Sequence, residues 1–305
     1  MWLLSLAVLL LLYVGSQINS LVFLLAGILA PLPVLIVGYG RGPRGALLLA
    51  LAAALAVFSL KPGWETVWAN LGFGSLLLLG VILSVIQHRG IPPPRAIFFA
   101  VAALSVAALL ILLGQAVLTG VSPMVVLAQR SSEIMAMARQ VLGAAAGEGQ
   151  PLVPGVPQES LEAWVRRLLP GLVITNTGLV AWLNVVLARQ FAFVMGWRKP
   201  EPPLYQWTAP EWLIFVALGS GFLLLIPVGA VRFASLNLLM VLALLYFCQG
   251  VAVVAAWFQR LALPRLMRLV GYPLLFLNPV FFLIITLGLM DLWLDFRRLH
   301  QPRDA

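Results

Sequence analysis

Apolar residues along this chain gather into runs of helix-spanning length, separated by short stretches of Gly, Pro and basic residues, from Met1 to Leu294. Hydrocarbon offers no water to backbone N–H and C=O groups, so a run of roughly 20 apolar residues closes its hydrogen bonds as a helix. The pattern predicts spans near 2–14, 18–38, 44–60, 66–87, 95–119, 170–189, 209–228, 233–258 and 271–296. The expected fold is therefore all-α, a polytopic membrane helix bundle of about nine spans within a range of about eight to ten. It forms a single integral membrane domain over 1–305. The first run is short for a crossing, and only Gln17 and Asn19 separate it from the second.

One segment, 121–169, breaks the pattern and is expected to connect spans along the membrane surface. Leu127, Ser131, Ile134, Ala138 and Val141 recur at helical spacing, with Gln129, Glu133 and Gln140 across the wheel, which describes an amphipathic interfacial helix. A Gly/Pro/Gln-rich break follows from Gly143 to Pro157. A second amphipathic turn carries Leu161, Trp164 and Leu168, and Pro170-Gly171 should end it and begin the next span. Further on, Thr208-Ala209-Pro210-Glu211 reads as a capping box opening the seventh span. Trp207 and Trp212 flank it as interfacial aromatics, and Trp197, Tyr205 and Pro200, Pro202 and Pro203 stiffen the loop before it.

Charge adds orientation. Residues are 62% hydrophobic and only 10% charged, with a formal net charge of +9. Loops holding Arg41 and Arg44, then Arg89 and Arg95, then Arg189, Arg198 and Lys199, then Arg260, Arg265 and Arg268, follow alternate spans. By the positive-inside rule they share the cytoplasmic side, giving a multi-pass protein of a bacterial cytoplasmic membrane in contact with its lipids. The intervening loops are balanced, as where Lys61 is near Glu65. Nine spans would leave Arg297, Arg298 and Arg303 outside, partly offset by Asp291, Asp295 and Asp304. The basic groups form no continuous stripe, so no nucleic-acid partner is expected.

Chemistry is sparse. Cys248 is the only cysteine, and His88 and His300 are the only histidines, so neither an intrachain disulfide nor a metal site is expected. Phosphate-loop, HExxH and GxSxG patterns are missing from the sequence, and no cofactor or catalytic residue is assigned; ATP, if used, comes from another subunit. Gly40-Arg41-Gly42-Pro43-Arg44-Gly45 matches GxGxxG but follows an apolar span, which makes it a tight basic loop. Uncharged polar groups inside spans are the ligand-binding candidates: Asn176, Asn184, Asn237, Tyr246, Gln249 and Asn278, with Asn70, Gln115, Thr175 and Thr177 beside them. The competing role is interhelical glue, at roughly 0.6 kcal/mol per hydrogen bond. Prolines at Pro31, Pro33, Pro227 and Pro279 are expected to break helical ladders. Near the end, Asp291, Asp295 and Arg298 are spaced to line one helix face, with Trp293 and Arg297 on another. Such a pair could be an acid dyad or a divalent-ion site, or simply a helix end whose acids pair with Arg297 or Arg298.

Three stretches carry a resemblance. The Pro-rich second span with Gly38-Tyr39-Gly40-Arg41-Gly42-Pro43-Arg44-Gly45, then Leu245-Tyr246-Phe247-Cys248-Gln249-Gly250, then the closing Gly288, Asp291, Trp293, Asp295 and Arg297 together resemble the YybS-like family of bacterial membrane proteins. More distantly, the first half is similar to the substrate-binding S components of energy-coupling-factor transporters and to the rod-shape protein MreD. The first likeness implies a subunit that holds a small organic nutrient and works with membrane and ATPase partner subunits. The second implies a scaffold of a cell-envelope complex. In S components a small-residue face on the first helix docks the coupling subunit, whereas this helix offers only Ser5, Ala7 and Gly15 among leucines.

Overall fold

A computed structural model describes residues 1–18, 20–60, 71–146, 157–197 and 206–297. Of the residues singled out above, Asn19, Lys61, Glu65, Asn70, Arg198, Lys199, Pro200, Pro202, Pro203, Tyr205, Arg298, His300, Arg303 and Asp304 lie outside them. The architecture is all-α, with eleven helices among the described residues. Among the described residues, five segments are long and apolar enough to cross a membrane: Val22–Leu60, Leu71–His88, Pro93–Thr119, Glu159–Val194 and Gly229–Arg260. Trp2–Ile18, Leu213–Leu223 and Val280–Leu294 are shorter apolar helices. The chain's contacts fall into two compact units, Met1–Leu169 with Asn176–Lys199, and Pro170–Thr175 with Pro200–Ala305.

The first unit begins with α1 (Trp2–Ser16), α2 (Ser20–Leu29) and α3 (Pro31–Leu60). Pro31 opens α3, since a proline's missing N–H costs nothing in a first helical turn. The expected tight basic loop over Gly40–Gly45 turns on Gly42, the residue that leaves helical geometry, at φ 78°. A Cβ at Gly38 would lie 3.5 Å from the Ala46 Cβ, where a straight helix would separate them by roughly 12 Å, so the two arms of α3 fold back on each other. Glycine alone takes that φ without strain, so the two predicted spans stay separate arms joined by a one-residue turn. α4 (Leu71–His88) lies against α3, and α5 (Pro93–Thr119) against α4. One core joins Leu9 of α1 to Val34, Val37, Leu49 and Ala53 of α3 and Leu77 of α4. A second joins Leu35, Leu79, Leu83, Ala96 and Ala100 to Val180, Ala181, Val185 and Ala188. On α5 the opposite face stays bare, with Phe98, Leu110, Val117 and Leu118 at 63–81% exposure, as suits a helix solvated by lipid.

The surface connector is helical for longer than its pattern suggested. α6 (Pro123–Ala146) runs past Gly143, and its buried stripe is Val126, Ser131 and Met135. Ile134, expected on that face, is exposed, because Met135 is the residue four beyond Ser131 and completes the row. Arg130 pairs with Glu133 at 2.8 Å and reaches Gln115 Oε1 on α5 at 3.4 Å. α7 (Gln158–Val194) corrects a second expectation, because Pro170 does not end the amphipathic turn but sits inside one continuous helix of 37 residues. A proline inside a helix removes a ladder bond, and neighbouring side chains can take over the groups it disturbs. Here the next amide, Gly171 N–H, donates to Asn237 Oδ1 at 2.5 Å.

In the second unit, α8 (Leu213–Leu223) precedes α9 (Gly229–Arg260), and the break between them falls at Pro227, as expected. α8 starts four residues after Ala209, so Thr208 caps nothing. The 207–209 backbone is bonded elsewhere, as described below. The last predicted span, 271–296, is two helices: α10 (Arg265–Leu274) and α11 (Val280–Leu294), joined through a cis Asn278–Pro279 bond. Phe276 and Phe281 from this junction close on the buried Phe247 of α9, at ring-centroid distances of 5.1 and 4.7 Å. α10 turns Tyr272 onto Phe258 of α9, and leaves Leu266, Leu269 and Val270 exposed.

Candidate functional site

Each unit holds one concentration of polar groups. In the first unit, a cavity of about 130 Å³ is lined by Leu35, Gly38, Tyr39, Ser84, Gln87, His88 and Trp197. Ser84, Gln87 and His88 recur at i, i+3 and i+4 on the last turns of α4, so they share a face. Across from them, Gly38-Tyr39-Gly40 of α3 supplies the facing wall. A Cβ at Gly38 would overlap the Ser84 hydroxyl, and one at Gly40 would stand 3.3 Å from the Trp197 ring. The Tyr39 hydroxyl donates to Gln87 Oε1. Ser84 is 6% exposed, and its Oγ has no hydrogen-bond partner among the described residues. Trp197 is held edge-on by Phe191 at 5.7 Å. The cavity can offer a hydroxyl, an imidazole and an indole N–H to a guest.

The second unit holds a closed network instead. Arg297 lies beyond the end of α11 yet is only 3% exposed, and its Nη2 sits 2.5 Å from Asp291 Oδ2 with Nε at 2.9 Å. Its Nη1 donates to the Trp207 carbonyl at 2.7 Å. Gln249 of α9, fully buried, donates to Asp291 Oδ2 at 3.1 Å and accepts the Ala209 N–H at 3.1 Å. This is why the capping box fails: the 207–209 backbone is spent on Arg297 and Gln249, not on a helix start. Arg260 holds the same tail by donating to the Phe296 and Arg297 carbonyls. Asp291 Oδ1 is buried with no hydrogen-bond partner among the described residues. Close by, Gly250 and Gly288 let α9 and α11 touch backbone to backbone, since a Cβ on Gly288 would lie 2.6 Å from Gly250 N and overlap the Tyr246 carbonyl. Next to Gln249 lies the buried thiol of Cys248.

The residues picked from the sequence are scattered by comparison. Asn184, fully buried in the first unit, donates to the Ile28 and Val180 carbonyls, both at 2.7 Å, so its amide nitrogen joins helices. Asn176 is exposed. In the second unit Asn237 serves Gly171, Gln249 serves the Asp291 network, and Asn278 is exposed at the α10–α11 junction. The Tyr246 hydroxyl is buried with no hydrogen-bond partner among the described residues. Gly288, Asp291 and Arg297 come together, while Trp293 is 65% exposed. Asp295 does not share a helix face with Asp291: α11 ends at Leu294, and Asp295 takes a left-handed conformation at φ 39°. Sequence reasoning missed Tyr39, Ser84, Gln87 and His88 as a group. The available signal was two polar residues, Ser84 and Gln87, three apart inside an apolar run.

Neither the curated proteins nor the solved structures give a match to this chain. A family profile does match, over residues 5–292, nearly the whole length. The apolar helices, with their bare lipid-facing surfaces, agree with its description, and the chain belongs to the family described as "Predicted membrane protein (DUF2232)".

Proposed function

We propose that this membrane protein is a multi-pass subunit of the bacterial cytoplasmic membrane that binds a small organic solute for transport, with no catalytic chemistry of its own. The observation that carries the reading is the cavity of the first unit: polar groups converge there on one unfilled volume, with the buried Ser84 hydroxyl available to a guest. A cavity walled by apolar and aromatic side chains with a few convergent donors is what a small-molecule site requires. The more distant resemblance of the first half to S components supports the same reading, and gives it membrane and ATPase subunits as working partners.

The test is equilibrium binding of a small-solute panel to the detergent-purified full chain. Saturable binding that weakens about tenfold in Ser84→Ala, with the helical circular-dichroism signal retained, is the expected result; a tenfold loss corresponds to about 1.4 kcal/mol. Absence of saturable binding across the panel would overturn the reading. It would favour a scaffold similar to MreD, to which the internally bonded second unit lends support. In that case envelope-synthesis proteins rather than an ATPase would co-purify with the chain.

A further inference from the structure

Resting on the binding reading above, we propose that the cavity's guest is a small organic anion, a carboxylate or phosphate head on a compact body. Three observations converge. No carboxylate stands among the described lining residues, and Ser84, His88 and Trp197 can all donate hydrogen bonds. An anion takes donors without having to supply any, so this wall fits an oxyanion head.

The second observation is charge. The chain carries no Asp or Glu in residues 1–64 or 66–132, which include both walls contributed by α3 and α4. Arg41 follows Tyr39 by two positions and Arg89 is bonded directly to His88, and both are exposed. They therefore stand near the cavity, with no acidic residue on α3 or α4 to neutralise them. At physiological salt a charge acts over about 8 Å, and low-dielectric walls focus its field into a cleft. The third observation is size. At about 130 Å³ the cavity is close to the roughly 150 Å³ that accepts a benzene-sized guest, which limits the body to a six-membered ring or a few carbons.

Benzoate, its neutral isostere benzamide and inorganic phosphate are the probes, titrated calorimetrically into the full chain in a neutral detergent. Benzoate is expected to bind at least tenfold more tightly than benzamide. Raising the salt from 20 mM to 500 mM should weaken benzoate severalfold and leave benzamide unchanged. Arg89→Gln, at an exposed position where folding is not at stake, should weaken benzoate about threefold, and Ser84→Ala about tenfold. Benzamide binding as tightly as benzoate would overturn the anionic assignment while leaving the cavity's role as a solute site intact. Failure of all three probes would overturn the anionic assignment, and solute binding indifferent to Ser84→Ala would overturn both readings. Vesicles rich in phosphatidylglycerol separate the two sources of an oxyanion. Benzoate affinity unaffected by reconstitution into them supports a free solute; its loss there would identify a lipid headgroup as the occupant and overturn the free-solute assignment.

Discussion

Asp291 and Arg297 bury a charge of each sign, with side chains only 2% and 1% exposed. Removing one member strands the other, which typically costs about 3–5 kcal/mol, whereas exchanging both for apolar groups is often neutral. Asp291→Asn is therefore expected to unfold at markedly lower temperature, with Asp291→Leu/Arg297→Met recovering much of the loss. A thermal-melt series of the single and double variants measures this, and equal destabilisation by both would deny the coupling. Gln249→Leu should cost about 1–3 kcal/mol, because the Ala209 amide and the carboxylate each lose a partner in a dry site. Its denaturation midpoint is the readout. At this scale the sequence showed which residue types were unusual in an apolar run, but not their partners. Asp291 and Gln249 stood out as polar, yet a hydrogen bond across 42 positions has no local periodicity to announce it. The reading of the closing acids as pairing with Arg297 or Arg298 came nearest. What escaped was that Arg297 folds back while Asp295 turns away through a left-handed residue.

Helices were the most legible objects, since an apolar run in lipid has few other ways to satisfy its backbone. The span predicted at 95–119 is α5, and that at 233–258 lies inside α9. Their ends were less legible wherever tertiary contacts outbid local signals. Pro170 reads as a stop, but an amide acceptor on α9 serves the following residue; Thr208 reads as a cap, but a glutamine and an arginine claim the turn first. Where α9 meets α11, contact depends on having no side chain at Gly250 and Gly288. Gly288→Val should force the helices apart and cost at least the 1–3 kcal/mol typical of overpacking. Circular-dichroism melts should show it, while Gly114→Val, where a Cβ meets nothing within 4 Å, stays near the parent. Asn237→Leu should likewise destabilise by about 1–2 kcal/mol through the Gly171 amide.

For the molecule as a whole, class was written in composition and site was not. Five membrane-length apolar segments and extensive bare apolar surface predict that the chain stays with the pellet when membranes are washed at alkaline pH. Release into the supernatant would contradict membrane integration. The cavity escaped notice because its walls come from three separated stretches, each ordinary alone: a glycine pair around Tyr39, three polar residues ending α4, and Trp197. The second unit carries its own consequence for experiment. Its thiol at Cys248 is unique in the chain, so a maleimide can reach one atom only, and only when the surrounding helices part. The labelling rate becomes a clock for transient opening of that unit, proportional to the open population when reclosing outpaces reaction. Read this way, Asp291→Asn should quicken the clock by orders of magnitude under conditions where the folded protein still predominates, turning a buried sulfur into a gauge of how often the latch around it lets go.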